Sequence, residues 1–319
     1  MTGATGFLGG HLARALREEG WEVTATGRDR ARGEALARGG LTFVPADLAE
    51  ADLTSLLAHQ DVVFHAAALS SPWGRRVDFE RSNVLATRRV AAGCLASGAR
   101  LVHVSTPSLY VRHGDRLNVP EDAPLPRPVN DYAASKRAAE LEVLRCAARG
   151  LHAVIVRPRA IYGPGDTAIL PRLLRALRAG RLPVVGRGDN VTDLTYVEDG
   201  VRALALAARA EVPSGRVYNV TSGDPVPLWP LLFDVCDELG LPRPAGRLPR
   251  GVAHAAAALL ELTARLTGGE EPRLTRYGVS VLSSSVTLDI TRARRELGYE
   301  PRVRTADGLR RTLAALGDA

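Results

Sequence analysis

The chain has 319 residues, of which 45% are hydrophobic, 24% charged and 5% aromatic, and this composition excludes a mainly disordered, collagen-like or disulfide-stapled protein. The formal net charge is +7, but the arginines are spread along the chain without interleaved aromatic residues, so we expect no nucleic-acid partner. No apolar run reaches the length of a membrane span, so we also expect no stable membrane insertion. The cysteines Cys94, Cys146 and Cys236 are odd in number and far apart, which predicts free thiols in a reducing cytoplasm.

Short apolar runs in the first half predict strands that are buried on both faces, as in a parallel sheet. They cover residues 21–26, 41–46, 62–64, 101–104 and 153–156. Amphipathic stretches between several of these runs predict helices. This alternation predicts an α/β fold, a doubly wound Rossmann sheet with right-handed crossovers.

The second half of the chain loses this alternation after about residue 158. We expect residues 1–158 to form a dinucleotide-binding domain to which residues 190–212 return. Residues 159–319 are expected to form mainly a smaller α/β substrate-binding domain. Its Ala- and Leu-rich segment, residues 252–266, favours a packed lid helix over a membrane anchor because polar and charged residues interrupt it.

A glycine-rich turn opens the chain and leads into a predicted helix. The spacing G-x-x-G-x-x-G lets backbone N–H groups approach a pyrophosphate, and the helix N-terminus favours its negative charge. A purely structural turn is the alternative, but the strand–helix context favours cofactor binding. The candidate cofactor-binding residues here are Gly3, Thr5, Gly6, Phe7, Leu8 and Gly9.

Only Met1 precedes this turn, although a glycine-rich turn of this kind normally follows a strand. We therefore expect the first strand, in the middle of the sheet, to be missing from the sequence, through a mis-assigned start or trimming. A native protein without that strand would leave unpaired backbone groups on both neighbours, at about 1–3 kcal/mol each where buried.

The residues after the predicted strand at 21–26, the second strand of such a fold, bear on the choice of dinucleotide. Arg28 stands where an acidic residue would accept hydrogen bonds from the ribose of NAD, and a guanidinium suits the 2′-phosphate of NADP(H). NADP(H) is therefore the preferred prediction, with NAD(H) as the alternative, since Arg28 could be a plain surface arginine beside Asp29. Asp47, followed by Leu48, is a candidate for the adenine amino group, or else a simple helix cap.

Tyr132 and Lys136 lie four residues apart on a predicted helix that Asn130 and Asp131 begin. A tyrosine has a pKa near 10, and an adjacent ammonium would lower it by stabilising the phenolate. Such pairs are often plain surface contacts. Lys136, however, is the only lysine among the 42 basic residues, which favours a task that a guanidinium performs badly.

Thr106 follows the strand at residues 101–104, where ligands of open α/β sheets gather. Its hydroxyl could hold a carbonyl oxygen for protonation by Tyr132, and the alternative is a turn that ends the strand. Histidines show no spacing typical of metal ligands, so no metal site is predicted.

These motifs, together with the segments at residues 64–67 and 157–165, follow the order of the extended short-chain dehydrogenase/reductases, which the whole chain resembles. These enzymes are also called the NAD-dependent epimerase/dehydratase family. The resemblance implies a catalytic set of Thr106, Tyr132 and Lys136. The further cofactor-site residues that it implies are Ala66, Ala67, Asn83, Ser105 and Pro158, in addition to Tyr132 and Lys136 themselves.

A narrower resemblance is to 3β-hydroxysteroid dehydrogenase-like members and 2-alkyl-3-oxoalkanoate reductases. It is carried by the segments at residues 105–108, 157–166, 170–174 and 192–197. It implies hydride transfer to or from a 3-keto or 3-hydroxy group of a small hydrophobic substrate.

Other functions remain open at this point. A nucleotide-sugar 4-epimerase needs only the residues already named, whereas the dehydratases of the family carry Asp-Glu where this chain has Pro107 and Ser108. A dinucleotide sensor without catalysis is disfavoured because the chain has Thr106, Tyr132 and Lys136 together, and a protein that only binds the dinucleotide needs no proton donor. The sequence leaves open a homodimer.

Overall fold

The computed structural model describes residues 1–112, 114–180, 182–268 and 270–317. It confirms the α/β prediction, and the strands and helices alternate through the first half. The longer strands of this half are β1 (Thr24–Gly27), β2 (Thr42–Pro45), β3 (Val62–His65), β4 (Arg100–Val104), β5 (Arg116–Val119) and β6 (Ala153–Pro158). The helices are α1 (Phe7–Glu18), α2 (Arg30–Arg38), α3 (Thr54–Leu57), α4 (Arg76–Phe79), α5 (Ala86–Ser97) and α6 (Asp131–Ala147).

The second half contains shorter strands between helices. The strands are β7 (Ile161–Tyr162), β8 (Val184–Val185), β9 (Val191–Thr192), β10 (Thr195–Tyr196), β11 (Arg216–Val220), β12 (Val226–Pro227), β13 (Arg247–Leu248) and β14 (Val286–Leu288). The helices are α7 (Ile169–Arg178), α8 (Val197–Arg209), α9 (Leu228–Glu238), α10 (Arg250–Leu266), α11 (Arg276–Ser283), α12 (Thr291–Leu297) and α13 (Thr305–Gly317).

The main sheet is parallel and has the order β11-β6-β4-β3, and β1 pairs with β2 alongside it. Met1 and Thr2 lie between β1 and β3: Thr26 N–H donates to the Met1 carbonyl at 2.9 Å, and Thr2 N–H donates to the Phe64 carbonyl at 2.9 Å. Thr2 therefore forms a bridge to each neighbouring strand, at the position of the first strand that we expect to be missing from the sequence.

Apolar residues cover both faces of this sheet, which explains why its strands are uninterrupted apolar runs. Leu12 and Leu16 of α1 pack with Leu204 of α8 against one face, and Val90 of α5 packs with Val143 of α6 against the other. The proposed division into domains stays a prediction, and β11, outside the predicted returning segment, extends the main sheet.

A second, smaller sheet has the order β12-β9-β14-β5, and none of its four strands was predicted individually from the sequence. Two of its strands contain only two residues, too few to show a periodic pattern. Trp229 and Val279 belong to a separate apolar cluster near it, which α10 joins through the buried Ala253 and Ala257. The described part of the chain contains no helix that is long and apolar enough to cross a membrane.

Candidate active site

The glycine-rich turn is closed against the loop that follows β3. Gly3 has a φ of +70°, and a Cβ on it would lie 2.6 Å from the Ala67 nitrogen. A Cβ on Gly9 would lie 2.1 Å from the carbonyl oxygen of Gly3. Gly6 precedes α1 and has no side chain to cap it, so the first N–H groups of the helix face outward. This bare cradle fits a pyrophosphate.

The neighbouring turn residues pack around the cradle. Thr5 lies against Gly27, where a Cβ would come within 2.4 Å of the Thr5 Oγ1. Leu8 is buried in the core beneath the sheet, and Phe7 lies near Gly163 of the turn that follows β7. The turn at residues 163–165 thus borders the start of α1. A second contact supports this, because His11 Nε2 of α1 lies 3.0 Å from the Pro164 carbonyl oxygen.

Arg28 and Asp29, just after β1, differ in their contacts with the rest of the protein. Asp29 caps α2 by accepting a hydrogen bond from Arg32 N–H at 3.0 Å and lies 3.5 Å from the Arg32 guanidinium. Arg28 is exposed, and no hydrogen bond or ion pair joins it to another described residue. Its guanidinium is therefore available at the edge of the cradle.

Asp47 is already engaged within the protein. Its Oδ1 accepts from Ala49 N–H at 3.0 Å, and its Oδ2 lies 3.0 Å from the Arg81 guanidinium. The Asp47 carboxylate thus closes a turn at residues 48–50 where no helix begins, so the helix-cap alternative is wrong, and the adenine contact stays a prediction. Leu48 beside it is buried in the core.

Asn83 connects the loop after β3 to helix α6. Its Oδ1 accepts from Leu69 N–H at 2.7 Å, and its amide nitrogen donates to Ser135 Oγ at 2.9 Å. The segment Glu80–Leu85 is a π-helix, which widens the turn that carries Asn83. The buried amide therefore links Leu69, in the loop that begins at Ala66, to the helix that carries Tyr132.

Tyr132 lies in the first turn of α6, which Asn130 begins by accepting a hydrogen bond from Ala133 N–H at 2.8 Å. Burial raises the pKa of Tyr132, and hydrogen-bonding interactions with the Ser70 and Thr106 hydroxyls oppose that shift. Three hydroxyls thus meet at the carboxyl edge of the sheet. Ser70 was not identified from the sequence, where nothing distinguishes it from its serine neighbour.

Lys136 is buried one helical turn below Tyr132, with only 3% of its surface exposed. Its ammonium donates to the Val104 carbonyl at 2.7 Å, and burial lowers the pKa of Lys136 to about 8. The expectation that Lys136 lowers the pKa of Tyr132 is not met in this structure, because burial dominates at the phenol and the ammonium is directed to the strand end.

Thr106 forms the turn that was the alternative considered for it, and its catalytic role stays a prediction. Its Oγ1 accepts from Ser108 N–H at 3.1 Å, which starts the short 3-10 helix Pro107–Tyr110, and it also donates to Ser108 Oγ at 3.0 Å. Ser108 Oγ in turn lies 3.0 Å from the hydroxyl of Tyr277. Tyr277 belongs to α11 and was missed from the sequence, since no motif surrounds it.

The remaining predicted cofactor-site residues lie at the ends of neighbouring parallel strands. Ser105 follows β4, and its buried Oγ has no hydrogen-bond partner among the described residues. Pro158 ends β6, the strand next to β4. Because parallel strands end at one edge, both residues lie at the same edge of the sheet as Thr106, and their contact with the cofactor stays a prediction. Within the described ranges, no group of three or more His, Cys, Asp or Glu residues could hold a metal ion.

Comparison with known proteins agrees with this geometry. Residues 1–221 match the model of the NAD dependent epimerase/dehydratase family. A 2-alkyl-3-oxoalkanoate reductase from Stenotrophomonas maltophilia is 35% identical over 332 residues, covering 99% of this chain and 98% of that protein. A 3beta-hydroxysteroid-dehydrogenase/decarboxylase from Arabidopsis thaliana is 34% identical over 299 residues, covering 88% of this chain and 68% of that protein.

Among solved structures, MoeE5 in complex with UDP-glucose and NAD superimposes with a TM-score of 0.78 at 30% identity, covering 99% of this chain and 97% of that one. The sequence-based prediction of the family is therefore confirmed, as is the narrower likeness to the reductases and steroid dehydrogenases. The chain belongs to the NAD-dependent epimerase/dehydratase family, the extended short-chain dehydrogenase/reductases, and is an NAD-dependent oxidoreductase.

Proposed function

We propose that this chain interconverts a ketone and an alcohol at the 3-position of a hydrophobic substrate, of the 2-alkyl-3-oxoalkanoate or steroid type. The observation that carries the proposal is the meeting of Tyr132 with the hydroxyls of Ser70 and Thr106 at the carboxyl edge of the sheet. The names of the relatives support this substrate class. A carbonyl oxygen placed among these hydroxyls would accept hydrogen bonds from two of them.

In this proposal Tyr132 donates its proton to the carbonyl oxygen during reduction and takes it back during oxidation. When bound, the nicotinamide supplies or accepts the hydride. Thr106 positions the oxygen. Lys136, held by the Val104 carbonyl, contributes a buried positive charge below the phenol and a donor for the nicotinamide ribose. Ser105 and Pro158 border the dinucleotide, and Asn83 positions the loop that lines it.

We further propose NADP(H) as the preferred dinucleotide. Arg28 supports this preference because it is exposed beside the cradle, whereas the neighbouring carboxylate of Asp29 is committed to α2. A guanidinium binds a phosphate through paired hydrogen bonds. The three cysteines are buried free thiols, in keeping with a reducing compartment, and we propose the cytoplasm. A homodimer stays a prediction.

Nucleotide-sugar epimerisation is the second candidate, favoured by the similarity to MoeE5 with UDP-glucose and NAD bound. The two functions separate in one experiment, in which cofactor oxidation is followed with 2-alkyl-3-oxoacids, 3-ketosteroids and UDP-sugars in parallel. The proposal predicts steady oxidation of NADPH with a ketone. An epimerase would convert a UDP-sugar with no net change in cofactor, and this result would overturn the proposal.

A further inference from the structure

Arg159 is a buried cation that follows β6 at the carboxyl edge of the sheet. Only 8% of it is exposed, and its Nη2 donates to Thr192 Oγ1 at 3.0 Å. Its Nε has no hydrogen-bond partner in the described part of the chain. No carboxylate of a described residue lies within ion-pair distance of it, although Asp193 is near enough to oppose the lowering of its pKa by burial.

Arg157, two residues earlier, shows what a fully paired buried arginine looks like in this fold. Its Nε and Nη2 donate to the two carboxylate oxygens of Glu140 at 2.8 and 2.6 Å. A buried charge is costly unless it is paired and hydrogen-bonded. The chain meets this requirement at Arg157 through a directly paired carboxylate. At Arg159 the buried Asp193 acts only from beyond ion-pair distance, and its Oδ2 already accepts from Leu288 N–H, so the guanidinium keeps a donor for an external anion.

Two other buried polar groups precede paired strands of the second sheet, to which Thr192, the hydrogen-bond partner of Arg159, belongs. The side-chain amide of Asn190 and the hydroxyl of Ser284 have no hydrogen-bond partner among the described residues. Asn190 lies two residues before Thr192 of β9, Ser284 lies two residues before Val286 of β14, and Thr192 and Val286 pair in parallel register.

Tyr277 connects this polar region to the reaction centre. Its hydroxyl lies 3.0 Å from Ser108 Oγ, which accepts from Thr106 Oγ1 at 3.0 Å. Tyr277 also lies near enough to both Tyr132 and Arg159 to raise the pKa of each. Tyr277 therefore contacts the Thr106–Ser108 hydroxyl pair directly and interacts electrostatically with Arg159, which follows Pro158 at the same edge of the sheet.

We propose that Arg159 binds the carboxylate of the substrate and is a specificity-determining residue, which favours the oxoalkanoates of the proposed function, themselves acids, over neutral steroids. This inference rests on the proposed function for the position of the carbonyl. The planar guanidinium offers two N–H groups in the spacing of carboxylate oxygens. The phosphates of a nucleotide sugar offer the same anionic oxygens and are the other source of charge to be tested.

The test compares a 2-alkyl-3-hydroxyalkanoic acid with its methyl ester, which differ in the charge alone at nearly equal shape. The intact protein is assayed for oxidation of each with NADP⁺ and NAD⁺. We expect kcat/KM to be at least about 10-fold higher for the acid, and Arg159→Gln to raise KM for the acid about 10- to 100-fold while changing KM for the ester little. Equal use of acid and ester by the unaltered protein, or equal loss of both in the variant, would overturn the inference but not the proposed function.

Binding measured without turnover separates the two claims. The melting temperature with NADP⁺ is followed as the acid, the ester, UDP-glucuronate or UDP-glucose is added. Stabilisation by the acid that Arg159→Gln abolishes supports the carboxylate site even if no substrate is oxidised, in which case the proposed function alone fails. The carboxylate site is overturned if the acid does not stabilise the protein, or if UDP-glucose stabilises it instead through Arg159.

Two further variants control for folding. Arg100→Gln removes another arginine whose Nε is unpaired among the described residues, but at the start of β4, the opposite edge of the sheet. It should leave the acid-to-ester ratio unchanged. Arg159→Lys keeps the charge without the planar fork and should raise KM for the acid less than Arg159→Gln does, which provides the comparison if the glutamine variant does not fold.

Discussion

The ammonium of Lys136 donates to the Val104 carbonyl at 2.7 Å, and this single contact joins the first turns of α6 to the carboxyl end of β4. Burial lowers the pKa of Lys136 to about 8, with Glu140 opposing the shift. The chain therefore holds a buried amine that changes its charge close to physiological pH. An arginine could not do this, because a guanidinium stays protonated throughout this range.

This lowered pKa predicts how stability depends on pH. Between about pH 8 and pH 10.5 the unfolded chain binds the proton of Lys136 more fully than the folded chain does. Lys136 should therefore contribute a rise of roughly 1–4 kcal/mol in the free energy of unfolding across this window, against the opposite contribution of Cys94, whose thiol pKa burial raises to about 12. Urea unfolding of the unaltered protein and of a variant without the amine, at pH 7.5 and pH 9.5, isolates the Lys136 contribution. Lys136→Met should show a smaller rise than the unaltered protein, and equal slopes would contradict the assignment.

Removal of the Tyr132 hydroxyl should separate catalysis from cofactor binding. Tyr132→Phe keeps the ring contact with Phe79, whose centroid lies 6.3 Å away, so the helix should fold normally. We expect kcat to fall about 10²- to 10⁴-fold, the range typical of a lost general acid, with little change in the Kd of NADPH. Fluorescence titration with NADPH provides the control, and retained turnover would remove Tyr132 from the proposed mechanism.

Arg28→Ala tests the preference for NADP(H). Since Arg28 is exposed and forms no hydrogen bond with another described residue, its loss should not change stability measurably. KM for NADPH should rise about 10-fold while KM for NADH stays nearly constant. Arg30→Ala on the adjoining exposed surface is the matched control. An unchanged NADPH-to-NADH ratio in Arg28→Ala would favour a plain surface arginine at this position.

Gly9→Ala should disrupt the dinucleotide cradle. Its new methyl would lie 2.1 Å from the carbonyl oxygen of Gly3, so the turn must move. We expect at least about a 10-fold weaker Kd for NADPH and lower stability by roughly 1–3 kcal/mol. Gly251→Ala, in the first turn of α10 with open space around it, should be neutral or stabilise by about 0.5–1 kcal/mol. Tight NADPH binding by Gly9→Ala would exclude a close approach of the cofactor to this turn.

The sequence allowed local parts of the site to be predicted because their signals are contiguous. Tyr132 and Lys136 share a helix face, and the glycine spacing predicts the cradle before the structure shows it. Tyr277 could not be found in this way, since its contact with Ser108 joins residues 169 positions apart and depends on how α11 packs. The π-helix that carries Asn83 could not be predicted from hydrophobic periodicity either, because a single wide turn leaves the pattern of apolar residues almost unchanged.

Arg157 and Glu140 form a buried ion pair whose disruption should be costly. Both side chains are about 95% buried, at 4% and 5% exposure, and their two hydrogen bonds measure 2.8 and 2.6 Å. Glu140→Gln would leave the guanidinium buried without its charge partner, so we expect stability to fall by about 3–5 kcal/mol. Glu80→Gln breaks the exposed pair with Arg76, where the same 2.8 Å contact should contribute less than about 1 kcal/mol. Urea unfolding at neutral pH compares the two variants, and equal small losses would mean that water or rearrangement replaces Glu140, so that β6 and α6 do not depend on this pair.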